Sequence, residues 1–129
     1  MRSAAGSYSN SVVDLYNSTT GAWSTAVLSV ARFGLAAASV GNEALFAGGY
    51  AGSSPQSFAV SNVVDLYSGI TGLWSTAVLS VARYALTATS VGNVTLFAGG
   101  SDAGAVFHWY CAQIMFCTCG FASHRVECL

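Results

Sequence analysis

The chain has 129 residues, a formal net charge of −1, and only 7% Asp, Glu, Lys and Arg, with no lysine at all. Globular domains carry about 25% charged residues, so hydroxyls and amides must solvate this surface. A charge balance so close to zero offers no electrostatic attraction to nucleic acid or to an anionic membrane. A nucleic-acid partner is therefore not expected, and a membrane one is disfavoured.

Residues 1–10 are Ser- and Gly-rich and read as an N-terminal loop. They lack the apolar run of a signal peptide, as expected of a cytoplasmic product or of a chain whose true N-terminus lies upstream. Ser11–Tyr16 is a short β-branched and aromatic run, a strand candidate. Asn17–Gly21 is a turn cluster, and Ala22–Leu28 is the partner strand, carrying Trp23. Ser29–Arg32 leads into Phe33–Val40, a strand of small and apolar residues. Gly41-Asn42 is a hairpin signal with Gly first, as a type II′ turn requires, and Glu43–Gly49 is the next strand. Residues 50–61, with the only proline, Pro55, form the longest loop.

The cycle then restarts: strand 62–67, turn 68–72, strands 73–79 and 84–91, turn Gly92-Asn93, strand 94–100. The segment from Thr25 to Val40 is rich in alanine, the best helix former. Its apolar positions do not keep to a helical stripe, however, so strand is expected over helix.

The decapeptide from Trp23 to Arg32 recurs unchanged from Trp74 to Arg83, an offset of 74 − 23 = 51 residues. Over 12–50 against 63–101, 28 of 39 positions are identical. That is tandem duplication of one structural unit. Four strands per unit joined by hairpin turns predict an antiparallel four-stranded meander.

In order, each unit shows an Arg, a small-residue strand, a Gly-Gly strand end, a variable loop, then Tyr and a Trp. The residues are Arg32, Gly48, Gly49, Tyr67 and Trp74, with Tyr16 and Trp23 before them and Arg83, Gly99 and Gly100 after. So ordered, the unit resembles a kelch repeat, the blade of kelch-type β-propellers, over about residues 11–101. The resemblance implies an all-β fold, an incomplete propeller of four-stranded antiparallel blades. A partial blade 11–31, a full blade 32–79 and a partial blade 80–101 would precede a non-repeat, Cys-rich tail, 102–129. One glycine pair per unit allows close backbone approach, and one Tyr and one Trp supply surface for packing blade on blade. Closed propellers need about four to eight blades. Two blade-equivalents leave edges open, so a fragment of a longer propeller, or assembly with other chains, is expected.

Asp14 and Asp65, and Arg32 and Arg83, hold equivalent positions and are most of the repeats' charge; repetition with the unit points to a structural role. The variable loop is the candidate partner-contact surface, with Tyr50, Ser53, Ser54, Gln56 and Phe58. The turns Asn17–Thr19 and Ser68–Ile70 also differ between copies. Two glycosylation sequons begin at Asn17 and Asn93, a common chance match in so Ser/Thr-rich a chain.

The tail holds His108, Cys111, Cys117, Cys119, His124 and Cys128. The Cys-x-Cys spacing does not fit a zinc knuckle, and no metal or cofactor is expected. Ala103–Ser123 lacks charge but contains polar residues and no basic flank, which disfavours a membrane anchor. The abrupt change of composition after Gly100 suggests that the tail is foreign to the fold.

Residues 11–101 contain no His and no Cys, too little for a nucleophile–base pair. The expected function is protein–protein interaction without catalysis, through a protein partner or by self-association at open blade edges. The other reading implied by the resemblance is part of a propeller enzyme of galactose-oxidase-like type.

Overall fold

The computed structural model describes residues 9–52 and 58–102, together with the backbone of two short strands, Phe121–Ala122 and Arg125–Val126. The described residues are all-β, and the alanine-rich segment is strand, not helix. One complete four-stranded antiparallel sheet lies in the middle of the chain. It is built from β3 (Ala36–Val40), β4 (Glu43–Ala47), β7 (Val63–Ser68) and β8 (Trp74–Val78), in that spatial order. This is the meander the repeat predicts. Gly41 takes φ +56° while Asn42 stays at negative φ, as a type II′ tip needs.

On either side stands half of the same arrangement. β1 (Asn10–Asn17) and β2 (Ala22–Phe33) form the outer hairpin of the first unit, pairing Tyr16 with Trp23 as β7 and β8 pair Tyr67 with Trp74. β9 (Thr87–Val91) and β10 (Val94–Ala98) form the inner hairpin of the third unit, and β9 lies beside β3. In the tail, β11 (Phe121–Ala122) and β12 (Arg125–Val126) pair antiparallel. The cysteines and histidines fall outside the described residues, as does most of the stretch considered as an anchor.

Among the strand bounds that differ from expectation, β9 starts at Thr87 rather than at 84, and three others have a clear local reason. β2 runs without a break to Phe33, because Arg32 and Phe33 find a ladder partner in β5 (Tyr50–Ala51). β3 begins only at Ala36, because Gly34 turns the chain at φ +64°. The long loop is not wholly irregular: its ends form a short antiparallel pair, β5 with β6 (Ala59–Val60). At the position equivalent to Gly34 stands Ala85, at φ +52°. A side chain in the left-handed region costs about 1–2 kcal/mol, held here by the N–H of Ala85 donating to the Gly34 carbonyl at 3.1 Å.

Burial follows position in the array rather than residue type. Ala36, Ala47, Gly48, Gly49 and Val64 of the middle unit are buried. Their equivalents Thr87, Ala98, Gly99 and Gly100 are exposed, and Val13 is half-buried.

The glycine pair explains part of this. A Cβ on Gly49 would stand 2.5 Å from the Phe33 carbonyl of its own unit, and one on Gly100 equally close to that of Tyr84. A Cβ on Gly48 would strike the Arg83 carbonyl of the following unit at 2.5 Å, whereas one on Gly99 would meet nothing within 4 Å. The second glycine thus serves the unit itself, and the first serves the junction with the next.

Gly48→Ala should therefore cost roughly 3 kcal/mol or more, combining positive φ with a backbone clash. Gly99→Ala should cost only about 1 kcal/mol, from φ alone. Paired urea titrations of the two variants, at dilution where the chain is monomeric, check this; equal losses there would contradict the junction role of Gly48.

Candidate functional site

The most tightly organised polar group in the described structure is centred on Arg32. It sits near the end of β2, and its guanidinium enters the adjacent sheet with 2% exposure. Nη1 donates to the carbonyls of Gly48 at 2.9 Å and Val63 at 2.6 Å. Nη2 donates to Asp65 Oδ2 at 2.5 Å and, more weakly, to the Phe46 carbonyl at 3.4 Å. Asp65 is equally buried, and its Oδ1 accepts the backbone N–H of Ser29 at 3.1 Å. One side chain thus joins β2 to β4 and β7, and the carboxylate returns the connection to β2.

Four of the five guanidinium donors are used, and Nε has no partner. Burial pushes the Arg32 pKa down, and the charge and hydrogen bond of Asp65 pull it back up. With both groups withdrawn from solvent, the pair is committed to the fold and is not presented to a substrate.

The repeat places Arg83 in the same posture. Its Nη1 donates to the Gly99 carbonyl at 3.0 Å and Nη2 to that of Phe97 at 3.4 Å, the counterparts of the Gly48 and Phe46 contacts. No carboxylate meets Arg83 among the described residues, where the one ion pair is Arg32–Asp65. Asp14, equivalent to Asp65, is exposed and likewise makes no ion pair there. The same motif is complete in the middle of the chain and split at its two ends.

The Tyr and Trp of each unit meet each other across the outer hairpin. Ring centroids are 5.0 Å apart for Tyr16–Trp23 and 5.1 Å for Tyr67–Trp74. Packing of one unit on the next was the expected role; instead these are cross-strand pairs, worth about 0.2–1 kcal/mol each. Trp74 also stacks on Phe46 of its own sheet at 6.1 Å. Trp23 has no inner strands beside it and is 70% exposed.

The variable loop splits into two parts. Ser53, Ser54 and Gln56 lie outside the described residues. Tyr50 and the half-buried Phe58 belong to one cluster of rings. Tyr50 is buried, stacks 4.2 Å from Tyr84 and 5.3 Å from Phe33, and Phe58 sits edge-on to Phe33 at 5.0 Å. Position 50 is Ser101 in the third unit, so the cluster is not a repeat feature that one unit alone could reveal. Burial pushes the Tyr50 hydroxyl well above the usual phenol range, reinforced by its hydrogen bond and charge interaction with Tyr84.

The outer turns are the divergent surface. In the first, Asn17 Oδ1 accepts the N–H groups of Thr19 and Thr20 at 2.9 and 3.2 Å, so its amide holds the turn. In the second, Ser68 Oγ accepts from Thr71 at 3.3 Å. Both turns close with an N–H of glycine donating four residues back, Gly21 to Asn17 and Gly72 to Ser68, each at 2.8 Å. On this shared frame the second turn carries Ile70 and Leu73, 77% and 69% exposed, where the first has Thr19 and Ala22. Leu73 was not singled out from the sequence; its difference from Ala22 was the available signal.

Among the described residues no group of three or more His, Cys, Asp or Glu gathers as metal ligands would, and no helix is long and apolar enough to cross a membrane. No family model matches the chain, and no curated protein matches it.

Two outcomes follow. Arg32→Ala strands a buried carboxylate and should cost roughly 3–5 kcal/mol, while in the monomeric chain Arg83→Ala should cost about 1 kcal/mol or less. Thermal and urea unfolding of both variants measure the difference. A tyrosine with a raised folded pKa leaves stability intact below the unfolded value of about 10 and forfeits it as pH rises further. Stability should therefore fall above about pH 10, and Tyr50→Phe should flatten that fall in unfolding midpoints taken across the range.

Proposed function

We propose that residues 11–101 are part of a kelch-type β-propeller, serving as a protein-interaction module without chemistry of its own. The observation that carries this reading is the complete sheet β3–β4–β7–β8, flanked by an outer hairpin on one side and an inner hairpin on the other. Its strand order is that of a propeller blade, and the flanking halves have the registers of its two ends. The inventory agrees with the absence of catalysis. The repeats hold no His or Cys, and their buried charges are spent holding strands together.

Recognition belongs where the units differ and the scaffold is shared, as is usual for loops on a rigid frame. The turn bearing Ile70 and Leu73 fits this, since two large apolar side chains stand in water where the sister unit has Thr and Ala. A partner with an apolar pocket would bury both.

The test borrows the first unit's residues. Ile70→Thr with Leu73→Ala leaves the turn hydrogen bonds intact, so the melting temperature should hold. Affinity for a protein partner isolated with the wild-type chain should fall at least about tenfold, as expected for two buried aliphatic anchors. Unchanged affinity would remove this turn from the interface.

A further inference from the structure

The two ends of the described structure are halves of one object. β9–β10 is what β3–β4 would be without β7–β8, and β1–β2 is what β7–β8 would be without β3–β4. β10 and β1 each lie at the edge of their sheet, with one side of the ladder unpaired among the described strands. We infer that the chain associates head to tail with a second copy of itself. β10 of one copy pairs antiparallel with β1 of the next, and Arg83 pairs with the second copy's Asp14.

The register is fixed by the intact junction. β4 meets β7 through Glu43↔Ser68, Ala44↔Tyr67, Leu45↔Leu66, Phe46↔Asp65 and Ala47↔Val64. Moving the β4 members forward by 51 residues and the β7 members back by 51 gives the pairs between copies. These are Val94 with Asn17, Thr95 with Tyr16, Leu96 with Leu15, Phe97 with Asp14, and Ala98 with Val13. No pair sets like charges opposite each other, and Leu96 with Leu15 at the centre and Ala98 with Val13 at the end bring apolar side chains together, which favours this register.

What each end lacks, the other supplies. Arg83 already donates to the Gly99 and Phe97 carbonyls as Arg32 does to those of Gly48 and Phe46; among the described residues its set lacks the carboxylate and a counterpart of the Val63 carbonyl, and β1 of the second copy carries both, as Asp14 and Val12. Asp14 carries that carboxylate, exposed on β1. In the intact unit Asp65 also accepts the N–H of Ser29; Ser80 is the equivalent donor for the incoming Asp14. Trp23 would gain Phe97 as Trp74 has Phe46. The open space at Gly99 would receive the second copy's Arg32 carbonyl, as Gly48 receives that of Arg83. An unrelated strand could pair with either edge, whereas a second copy of this chain carries both complements.

The interface is heterologous, so it propagates into a ring or a filament. Each copy contributes one whole sheet and two halves. Two to four copies would therefore supply about four to eight sheets, the range of closed propellers.

Sedimentation velocity of the full chain across a concentration series tests this. The wild type should form discrete species larger than a monomer. Asp14→Arg and Arg83→Asp should each weaken association at least about tenfold, through like-charge contact at a buried pair. The two together recreate the pair with its charges exchanged and should recover most of the loss. Circular dichroism reports whether each variant is folded; where a reversal unfolds the chain, Asp14→Asn and Arg83→Gln remove each charge without reversing it and should still weaken association. Three results would overturn the inference: a wild type that stays monomeric, an oligomer indifferent to the single changes, or no recovery in the double variant. The inference is separable from the interaction-module reading, because Ile70→Thr with Leu73→Ala lies away from both edges and should leave sedimentation unchanged.

Discussion

The described structure depends on one buried guanidinium. Arg32 is anchored in β2 yet donates to carbonyls of β4 and the start of β7, and it meets a carboxylate within β7. Strand ends expose carbonyls that a buried junction must satisfy. A single lysine could reach one or two of them, but the planar fork of arginine reaches several at once. Desolvating the charge is costly, and it is offset by placing Asp65 and three carbonyls around it. The result ties an outer hairpin to the sheet that follows, which hydrogen bonding along one ladder could not do.

The Gly-Gly strand end is the steric counterpart of that junction. Gly49 lets β4 leave its own sheet against Phe33, and Gly48 admits the Arg83 carbonyl from the next unit. The N–H of Gly49 donates to the same Arg83 carbonyl at 2.8 Å, while the N–H of Arg83 donates to Ser61 at 3.1 Å. Arginine therefore acts twice, through its side chain toward one strand end and through its backbone toward the preceding unit. That double use gives a physical account of why the residue recurs at every junction.

Much of this was legible in the chain. The 51-residue period set the order of the hairpin strands within each unit, though not the short β5–β6 pair, and the Gly-Asn dipeptides placed the inner hairpins at the residues where they occur. The equivalence of Asp14 with Asp65 and Arg32 with Arg83 pointed to a structural role, and Arg32 with Asp65 forms a buried ion pair. Less legible were roles that arise between elements. Tyr and Trp looked like surface for joining units, yet they pair within one hairpin because their register sets them opposite each other. Tyr50 looked like loop, yet it is buried because Phe33, Phe58 and Tyr84 converge on it from three segments.

The duplicated decapeptide separates the two sources of information most sharply. Its alternation and its tryptophan determine a strand in both copies, and both copies supply one opposite a tyrosine. Its length as a strand is set elsewhere. In the first copy it stays extended through Arg32 and beyond, because β5 pairs with its end; in the second, β8 stops at Val78 and Tyr84 makes a lone bridge with Ser101. Likewise identical arginines become a buried ion pair in one copy and, among the described residues, an arginine without a carboxylate in the other. Ten identical residues share propensity and pattern, which are local and were readable from the sequence. Ladder partners and counter-charges come from other segments, so only the tertiary structure decides them.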